Sequence, residues 1–530
     1  MAVAPTKAET ARGLRLFARL DERFLLALFV LAAVAVSWFL RTRALGASLW
    51  MDEGLSIGIA SQPLTEIPEV LRQDGSPPLY YLLLGVWLRL VGDGPAETQA
   101  LSVLIALAAI PVGLWAGWSL FGRRAGIYLA AMCAVNPFLT TYAQEVRMYS
   151  LMFTLSLAVT AAFLNVFVMR RRRYLAALLP LLAATLYTHN WALFVSIGLV
   201  TALAWLLLTA GGSERRALFR DGLIAFGGAG LLYLPWLPTL LFQVQHTGAP
   251  WLNPPRLGAP VQISKYLLGG GTATCALVLA GGSGLARFLQ EARLDPRRRA
   301  IIAAALVVVA MLGSAWLFSQ VSPAWTTRYL GASLGPLLLI FAAGLARAGR
   351  LGIAALLIVL AIWSLPRLYD LQNKSNAADL AQAAAPLLHR GDLVISLQPE
   401  QTPLLAYHLE TLRGVRGLRY ATPLGPVRNP HVMDWRDSQE RIERATVARN
   451  LEPLLATLPP RARVLLVHPI TARRDDWDAP WTALVRRRAA QWGAALAGDR
   501  RFRRVATLPP FYRRATRIGV RAVLYEKTGA

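Results

Sequence analysis

The sequence predicts a polytopic α-helical membrane protein with about eleven spans, followed by a C-terminal α/β domain. Three observations carry that expectation. Apolar stretches of near twenty residues recur from Phe24 to about Leu365, and a helix needs roughly that length to cross ~30 Å of hydrocarbon. Of the 530 residues, 55% are hydrophobic and only 16% charged, whereas a soluble domain carries about 25%. Beyond Arg367 the long apolar runs stop and polarity rises. Span length argues against one large soluble core.

Taken in order, the chain divides into a basic arm (1–23), a membrane region (24–366) and a tail (367–530). Spans are expected at 24–40, 97–119, 125–141, 150–169, 174–188, 191–209, 222–242, 264–283, 301–318, 329–345 and 351–366. The net charge of +26 raises nucleic acid as a partner, but its distribution points to membrane lipid instead. With the N-terminus inside, the cytoplasmic segments hold twenty-one basic residues, among them Arg123, Arg124, Arg170 to Arg173 and Arg297 to Arg299; the opposite side holds eight. The positive-inside rule then places the N-terminus in the cytoplasm and the tail outside. "RLFARLDERF" resembles a signal-peptide n-region and "ALGA" a cleavage site, but cleavage would leave an odd topology, so an uncleaved anchor is expected. Cys133 and Cys275 fall inside spans, which argues against a disulfide framework.

The first outside segment, residues 41–97, is much longer than its neighbours. "LTEIPEVLRQDGSPPLYYLLLGVWLRLV" suits short amphipathic helices on the interface, broken at Pro77 and Pro78, with Tyr80, Tyr81 and Trp87 at headgroup depth. In the tail, "DLVISL", "ARVLLVHPI" and "VRAVLYEK" read as strands. "DSQERIERATVARNLEPLLATL" and "WTALVRRRAAQWGAAL" read as helices, and "ATPLGPVRNP" as a loop. The tail's many arginines suit either a face toward anionic lipid or polymer, or an ordinary solvated surface.

Polar residues of unusual type collect on one side. "WMDEG" (Trp50 to Gly54), "NPFLTTYAQEVRMYSL" (Asn136 to Leu151), "YTHNW" (Tyr187 to Trp191), "QVQHTGAPWLNPPR" and "SQVSPAWTTRY" all fall on the outside face, while the inside loops carry mostly arginine. Each has a plain alternative. Aromatic residues at span ends anchor the interface, Arg147 and Arg328 can snorkel to headgroups, His189 can be a structural hydrogen-bonder, and Glu145 with Arg147 can form a local ion pair. Together they suit one chemistry. A carboxylate such as Asp52 accepts the proton of an attacking hydroxyl, and arginines hold a phosphate by charge-assisted hydrogen bonds. Displacement of a lipid phosphate from the anomeric carbon of a sugar uses both. A transporter or flippase for a lipid-linked sugar is the competing class, which favours polar or broken helices at mid-membrane and internal pseudo-symmetry.

On "LWMDEGLS", "GSPPLYYLLL", "NPFLTTYAQEVRMYSL", "YTHNWALF" and "TTRYLGASLGPLLL", in that order over residues 24–366, the chain resembles the GT-C-fold glycosyltransferases. The likeness is to the family 39 branch around protein O-mannosyltransferases and aminoarabinose transferases, and to the rhizobial lipid A galacturonosyltransferase-like domain. The resemblance implies an enzyme that transfers a sugar from a polyprenyl-phosphate donor, with inversion, to a hydroxyl of a glycan, lipid or protein acceptor at the outer face of a bacterial cytoplasmic membrane. It implies Asp52 as the acid that acts as base or positions the acceptor, with Glu53 as its companion. It implies Glu145, Arg147 and Tyr149, then His189, Arg328 and Tyr329, around the donor phosphate and sugar. The branch generally needs no metal, and no Asp-x-Asp motif stands in an outside loop of the membrane region; "RDDWD" at Arg474 to Asp478 reads as a solvated tail loop. No obligatory cofactor or divalent metal is therefore expected. The tail is not the repeat-containing lumenal domain of the protein mannosyltransferases.

Overall fold

The protein is described here by a computed structural model covering residues 7–291, 295–470, 478–509 and 515–529. Helix α1 (Lys7–Thr42) contains the first span and continues through most of the basic arm. Helix α2 (Met51–Ala60) follows within nine residues and carries the "MDEG" acids in its first turn. Two further helices, Ile67–Asp74 and Leu79–Val91, complete the long first segment. The interface-anchor expectation fails for two of its three aromatics. Tyr80 and Tyr81 are fully buried, and the Tyr80 hydroxyl lies 3.2 Å from Ser102 Oγ. The helices of this segment pack on the protein itself, so these rings face protein rather than headgroups.

Among the described residues, seven helices are long and apolar enough to cross a membrane, and the bent pair Gly349–Trp363 and Leu368–Leu387 raises that to at most eight. This is fewer than the eleven expected, and three of the expected segments show why. The segment 125–141 is cut at Asn136, whose side chain caps a short helix begun by Pro137. Leu175–Leu186 and Gly331–Leu345 have 12 and 15 residues, or about 18–22 Å at 1.5 Å per residue. Most of Gly331–Leu345 is buried among other helices. A Cβ on its Gly335 would stand 2.8 Å from the Leu157 backbone nitrogen, so small residues let it run through the bundle interior rather than along lipid. Buried Arg41, at the end of α1, donates to the carbonyls of Ala106 (2.7 Å) and Cys133 (2.6 Å), tying the first span to the helices Pro95–Phe121 and Arg123–Val135. Both cysteines are free.

The tail is α/β. Strands β1 (Leu393–Ser396), β2 (Arg419–Thr422), β3 (Gly425–Val427), β4 (Arg463–Ile470), β5 (Phe502–Leu508) and β6 (Gly519–Lys527) form one sheet in the order β3-β2-β1-β4-β6-β5. Its centre is parallel, β2-β1-β4, and its edges antiparallel. The three expected strands are β1, β4 and β6. "ATPLGPVRNP" is not simply a loop: Gly425, at φ 118°, lets the chain fold back so that β3 pairs with β2. The expected helix 437–458 breaks at Ala445 and Thr446. Of "RDDWD", all but Asp478 lies outside the described residues.

The tail is welded to α2. A Cβ on Gly54 would stand 2.7 Å from the Leu404 Cα, and one on Gly58 would stand 1.8 Å from the His431 carbonyl oxygen. Four residues apart on one helix face, these two glycines let tail backbone touch helix backbone. One apolar core runs from the membrane helices into Leu404, Leu405, Leu409 and Leu465 of the tail. Further ties join Trp435 N to the Gln73 carbonyl (3.0 Å) and Asp437 N to the His246 carbonyl (2.7 Å). Replacing Gly58 by valine is expected to destabilise the protein by about 1–3 kcal/mol through overpacking, read as a lowered melting temperature in detergent. A Gly58→Val protein that melts with the wild type would overturn this contact.

Candidate active site

The "MDEG" acids have separate fates because α2 begins under them. Trp50 is the N-cap and Glu53 stands at N3, its carboxylate reaching back to accept from the cap amide. Glu53 Oε2 accepts from Trp50 N (3.1 Å) and from Lys374 Nζ (2.7 Å). Its Oε1 accepts from Val146 N (3.1 Å) and Gln99 Nε2 (3.3 Å). Glu53 is fully buried and every acceptor direction is used, so it holds the site together rather than facing a substrate. One residue earlier, Asp52 points elsewhere. Its Oδ2 receives Arg328 Nη1 at 2.5 Å, while no donor among the described residues engages Oδ1.

Arg147 reaches the same place from the turn between Pro137–Ala143 and Tyr149–Phe167. Its guanidinium makes long contacts to the Asp52 carbonyl (3.5 Å), Ser56 Oγ (3.2 Å) and the Tyr149 hydroxyl (3.4 Å). Nε has no hydrogen-bond partner, and no carboxylate among the described residues pairs with this side chain, which is only 9% exposed. A buried charge left in that state is costly. The donors of Arg147 are not matched here by an acid among the described residues. Arg328, with side-chain exposure of 16%, also has an unpartnered Nε. Neither arginine snorkels to headgroups.

Aromatic rings wall this pair of arginines. Tyr149 lies 6.1 Å from His189 and 6.3 Å from Tyr329, and His189 lies 4.6 Å from Tyr329. His189 Nδ1 accepts from Trp191 N at 3.1 Å, which leaves the ring proton on Nε2 as a donor. Burial first, and then Arg147 and Arg328, push the His189 pKa down to about 3, so this imidazole is neutral over the physiological range.

Glu145 and Arg147 are not partners of each other. The Glu145 carboxylate instead receives the guanidinium of Arg517 from the tail, and its second oxygen, Oε2, is buried without a partner. Burial raises the Glu145 pKa above the usual carboxylate range, with Arg517 and Lys374 pulling the other way. Arg517 also lies over the Trp50 ring at 4.3 Å. Asp74, at the end of Ile67–Asp74, is held above its usual range by burial and feels both Arg147 and Asp52.

The structure thus brings all eight expected residues, Asp52, Glu53, Glu145, Arg147, Tyr149, His189, Arg328 and Tyr329, into one neighbourhood. Lys374, Arg517 and Asp74 were missed. Lys374 and Arg517 sit on two segments zipped together, with Arg517 N donating to the Lys374 carbonyl (3.2 Å) and Thr516 N to the Asn373 carbonyl (2.8 Å). Lys374 carried a usable signal: it is one of only four lysines in the chain and stands in the polar "QNKSN" just past the last apolar run. Arg517 carried none among so many tail arginines. Among the described residues no three His, Cys, Asp or Glu side chains converge as a metal-ligating group.

No family model matches the sequence, and no curated protein matches it. Solved structures do. ArnT from Cupriavidus metallidurans, bound to undecaprenyl phosphate, superposes with a TM-score of 0.52 at 14% identity, covering 94% of this chain and 98% of that one. Its apo form gives 0.53 at 14% identity over 95% and 98%. The arabinofuranosyltransferase AftD from mycobacteria gives 0.58 at 15% identity over 94% of this chain and 40% of that one. At such identities the likeness establishes the fold, a multi-pass helical membrane region with a small C-terminal sheet domain.

Two outcomes follow from the geometry. Lys374→Met leaves the Glu53 charge buried without its cation and is expected to cost about 3–5 kcal/mol, seen as lost thermal stability, with partial recovery in the Lys374→Met/Glu53→Gln double variant. A single variant as stable as the wild type would remove the pair from its structural role. For His189, the unfolded chain takes up a proton below pH ~6.5 while the folded chain does not until about 3. The unfolded state therefore binds more protons in that window, and stability falls as pH drops through it and is flat above it. His189→Gln should make the acid-side fall in melting temperature shallower; an unchanged slope would contradict the buried neutral ring.

Proposed function

We propose that this protein is a glycosyltransferase that moves a sugar from a polyprenyl-phosphate donor to an acceptor hydroxyl, with inversion, at the outer face of a bacterial cytoplasmic membrane. One observation carries the reading: Arg147 is a buried guanidinium that no carboxylate among the described residues pairs with, beside a second arginine that is only half engaged by Asp52. A phosphate supplies the missing acceptors, and bidentate pairing suits guanidinium better than any other cation. The shared fold with ArnT, solved with undecaprenyl phosphate, supports a lipid-phosphate donor. The basic-inside distribution of the loops supports the orientation.

In this mechanism the lipid lies among the helices and its phosphate meets Arg147 and Arg328, with His189 Nε2 offering a neutral donor beside them. The sugar projects toward the tail, where Glu145 Oε2 is free to accept from one of its hydroxyls. The acceptor oxygen attacks the anomeric carbon from the face opposite the phosphate. Its bond to that carbon forms as the carbon–phosphate oxygen bond breaks, and its proton passes to Asp52 Oδ1. The electron pair leaves on the lipid phosphate, where the arginines stabilise the growing charge. Arg328 links the two events, because it touches both the base and the phosphate site. Metal is not required, since two guanidinium groups supply the charge.

Asp52→Asn should reduce transfer by 10²–10⁴-fold, the usual range for a positioned base, while undecaprenyl phosphate still binds. Arg147→Ala should weaken that binding by at least about tenfold, one charge-assisted hydrogen bond's worth. The assay is incubation of purified protein with a panel of polyprenyl-phosphate sugars, measuring released lipid phosphate alongside native mass spectrometry for lipid binding. Full turnover by Asp52→Asn, or unaltered lipid binding by Arg147→Ala, would sink the assignment.

A further inference from the structure

On the tail side of α2, the five consecutive residues Gln398 to Thr402 hold four polar atoms that are buried without a hydrogen-bond partner: Gln398 Oε1, Glu400 Oε2, Gln401 Oε1 and Thr402 Oγ1. The four side chains belong to residues only 2–3% exposed. Buried polar groups are satisfied as a rule, so four such failures in one turn ask for an explanation.

The segment is fixed against the helix that carries the acids. Gln398 Nε2 contacts Met51 Sδ at 3.5 Å, the residue before Asp52, and donates to Glu400 Oε1 at 2.9 Å. Trp481 Nε1 donates to that same oxygen at 3.1 Å. One Glu400 oxygen is thus locked by two donors and the other is left open. Burial lifts the Glu400 pKa, and the Asp52 charge adds to the lift, so the two carboxylates feel each other across the interface.

The unmet groups of this segment differ in kind from most of those around the arginines. There they are chiefly donors, Arg147 Nε, Arg328 Nε and Trp50 Nε1, beside one acceptor, Glu145 Oε2, and the donors suit a phosphate. Toward the tail, three of the four are oxygens that only accept, and the fourth is a hydroxyl. Their ligand must bring hydrogen-bond donors. Because two of them are neutral amide oxygens and one is a neutral hydroxyl, a group that both donates and accepts fits them better than a cation. We propose that Gln398, Glu400, Gln401 and Thr402 form the acceptor subsite, which takes a hydroxyl-rich carbohydrate and delivers one of its hydroxyls to Asp52.

This rests on the transfer reading, and the test separates the two. Full-length protein in lipid nanodiscs is titrated with methyl glycosides of glucose, galactose, mannose and arabinose and with spermidine, using saturation-transfer NMR; undecaprenyl phosphate binding is measured in parallel. At least one glycoside should bind the wild type, and Glu400→Gln and Gln401→Ala should weaken it at least tenfold with lipid phosphate binding unchanged. Thr402→Val should also weaken it while leaving or raising the melting temperature, because the hydroxyl it removes has no partner in the folded protein; a structural hydroxyl would lower it. The subsite is overturned by absence of binding for every glycoside, by glycoside binding indifferent to all three variants, by Thr402→Val lowering the melting temperature with glycoside binding intact, or by spermidine binding lost in Glu400→Gln in place of a sugar. Glycoside binding that depends on Glu400 in a wild type that ignores undecaprenyl phosphate upholds the carbohydrate site and removes the donor reading.

Discussion

The arrangement depends on one buried carboxylate. Glu53 gathers donors from its own helix cap, from the turn that bears Arg147, from the helix Pro95–Phe121 and from the tail's Lys374. Taking that charge out of water is expensive, and it becomes tolerable only when every lone pair is met. The four elements must therefore be in place together. This couples membrane region and tail into one folding unit, since Lys374 is itself 1% exposed and has its other contact at the Gln144 carbonyl. Asp52 inherits its position from this cluster, being the residue just before Glu53 on the same helical turn.

Completeness of hydrogen bonding then separates scaffold from site. Glu53 is as buried as any residue in the chain and accepts from four donors; Arg41, equally buried, gives both Nη atoms to carbonyls at 2.6–2.7 Å and leaves only Nε unmet. Arg147 lies in the same polar interior with one ordinary bond, to Ser56 Oγ at 3.2 Å, two longer contacts at 3.4–3.5 Å, and no paired acid among the described residues. A protein gains nothing in stability from a guanidinium kept in that state. On the proposed reading a phosphate explains its retention; the contrast with Arg41 lies in the two short Nη bonds that Arg41 makes, since Nε is unmet in both.

The same logic explains what the sequence made legible. Span positions follow from apolar length, a local property, and the turns that carry Glu145, Arg147, His189 and Arg328 follow from where the spans end. The helix count did not follow: Asn136 both caps the short helix after it and bonds the distant Leu267 carbonyl, and Gly335 of Gly331–Leu345 acts through packing on Leu157. Tyr80 and Tyr81 look like interface anchors until Ser102 is brought to face them. The roles of Asp52 and Glu53 are indistinguishable in "WMDEG" and are resolved only by Lys374 and Arg328, more than 270 residues away. The glycines of "MDEGLSIG" were equally silent, since nothing local says that Leu404 and His431 will press on them.

Those glycines bear on chemistry as well as packing. Lipid-phosphate sugars can also be split by water, so an enzyme that uses them gains from excluding it until the acceptor arrives. Backbone contact at Gly54 and Gly58 leaves no room for a solvent layer between α2 and the tail, directly behind the acids. A looser domain would leave Asp52 facing bulk water, where it could take a proton from any hydroxyl. On the proposed reading, the open oxygen of Asp52 lies between the arginines that would hold the phosphate and the Gln398–Thr402 segment that would hold the acceptor. The first turn of α2 would join those two half-sites, which accounts for a tail built onto α2 rather than tethered beside it.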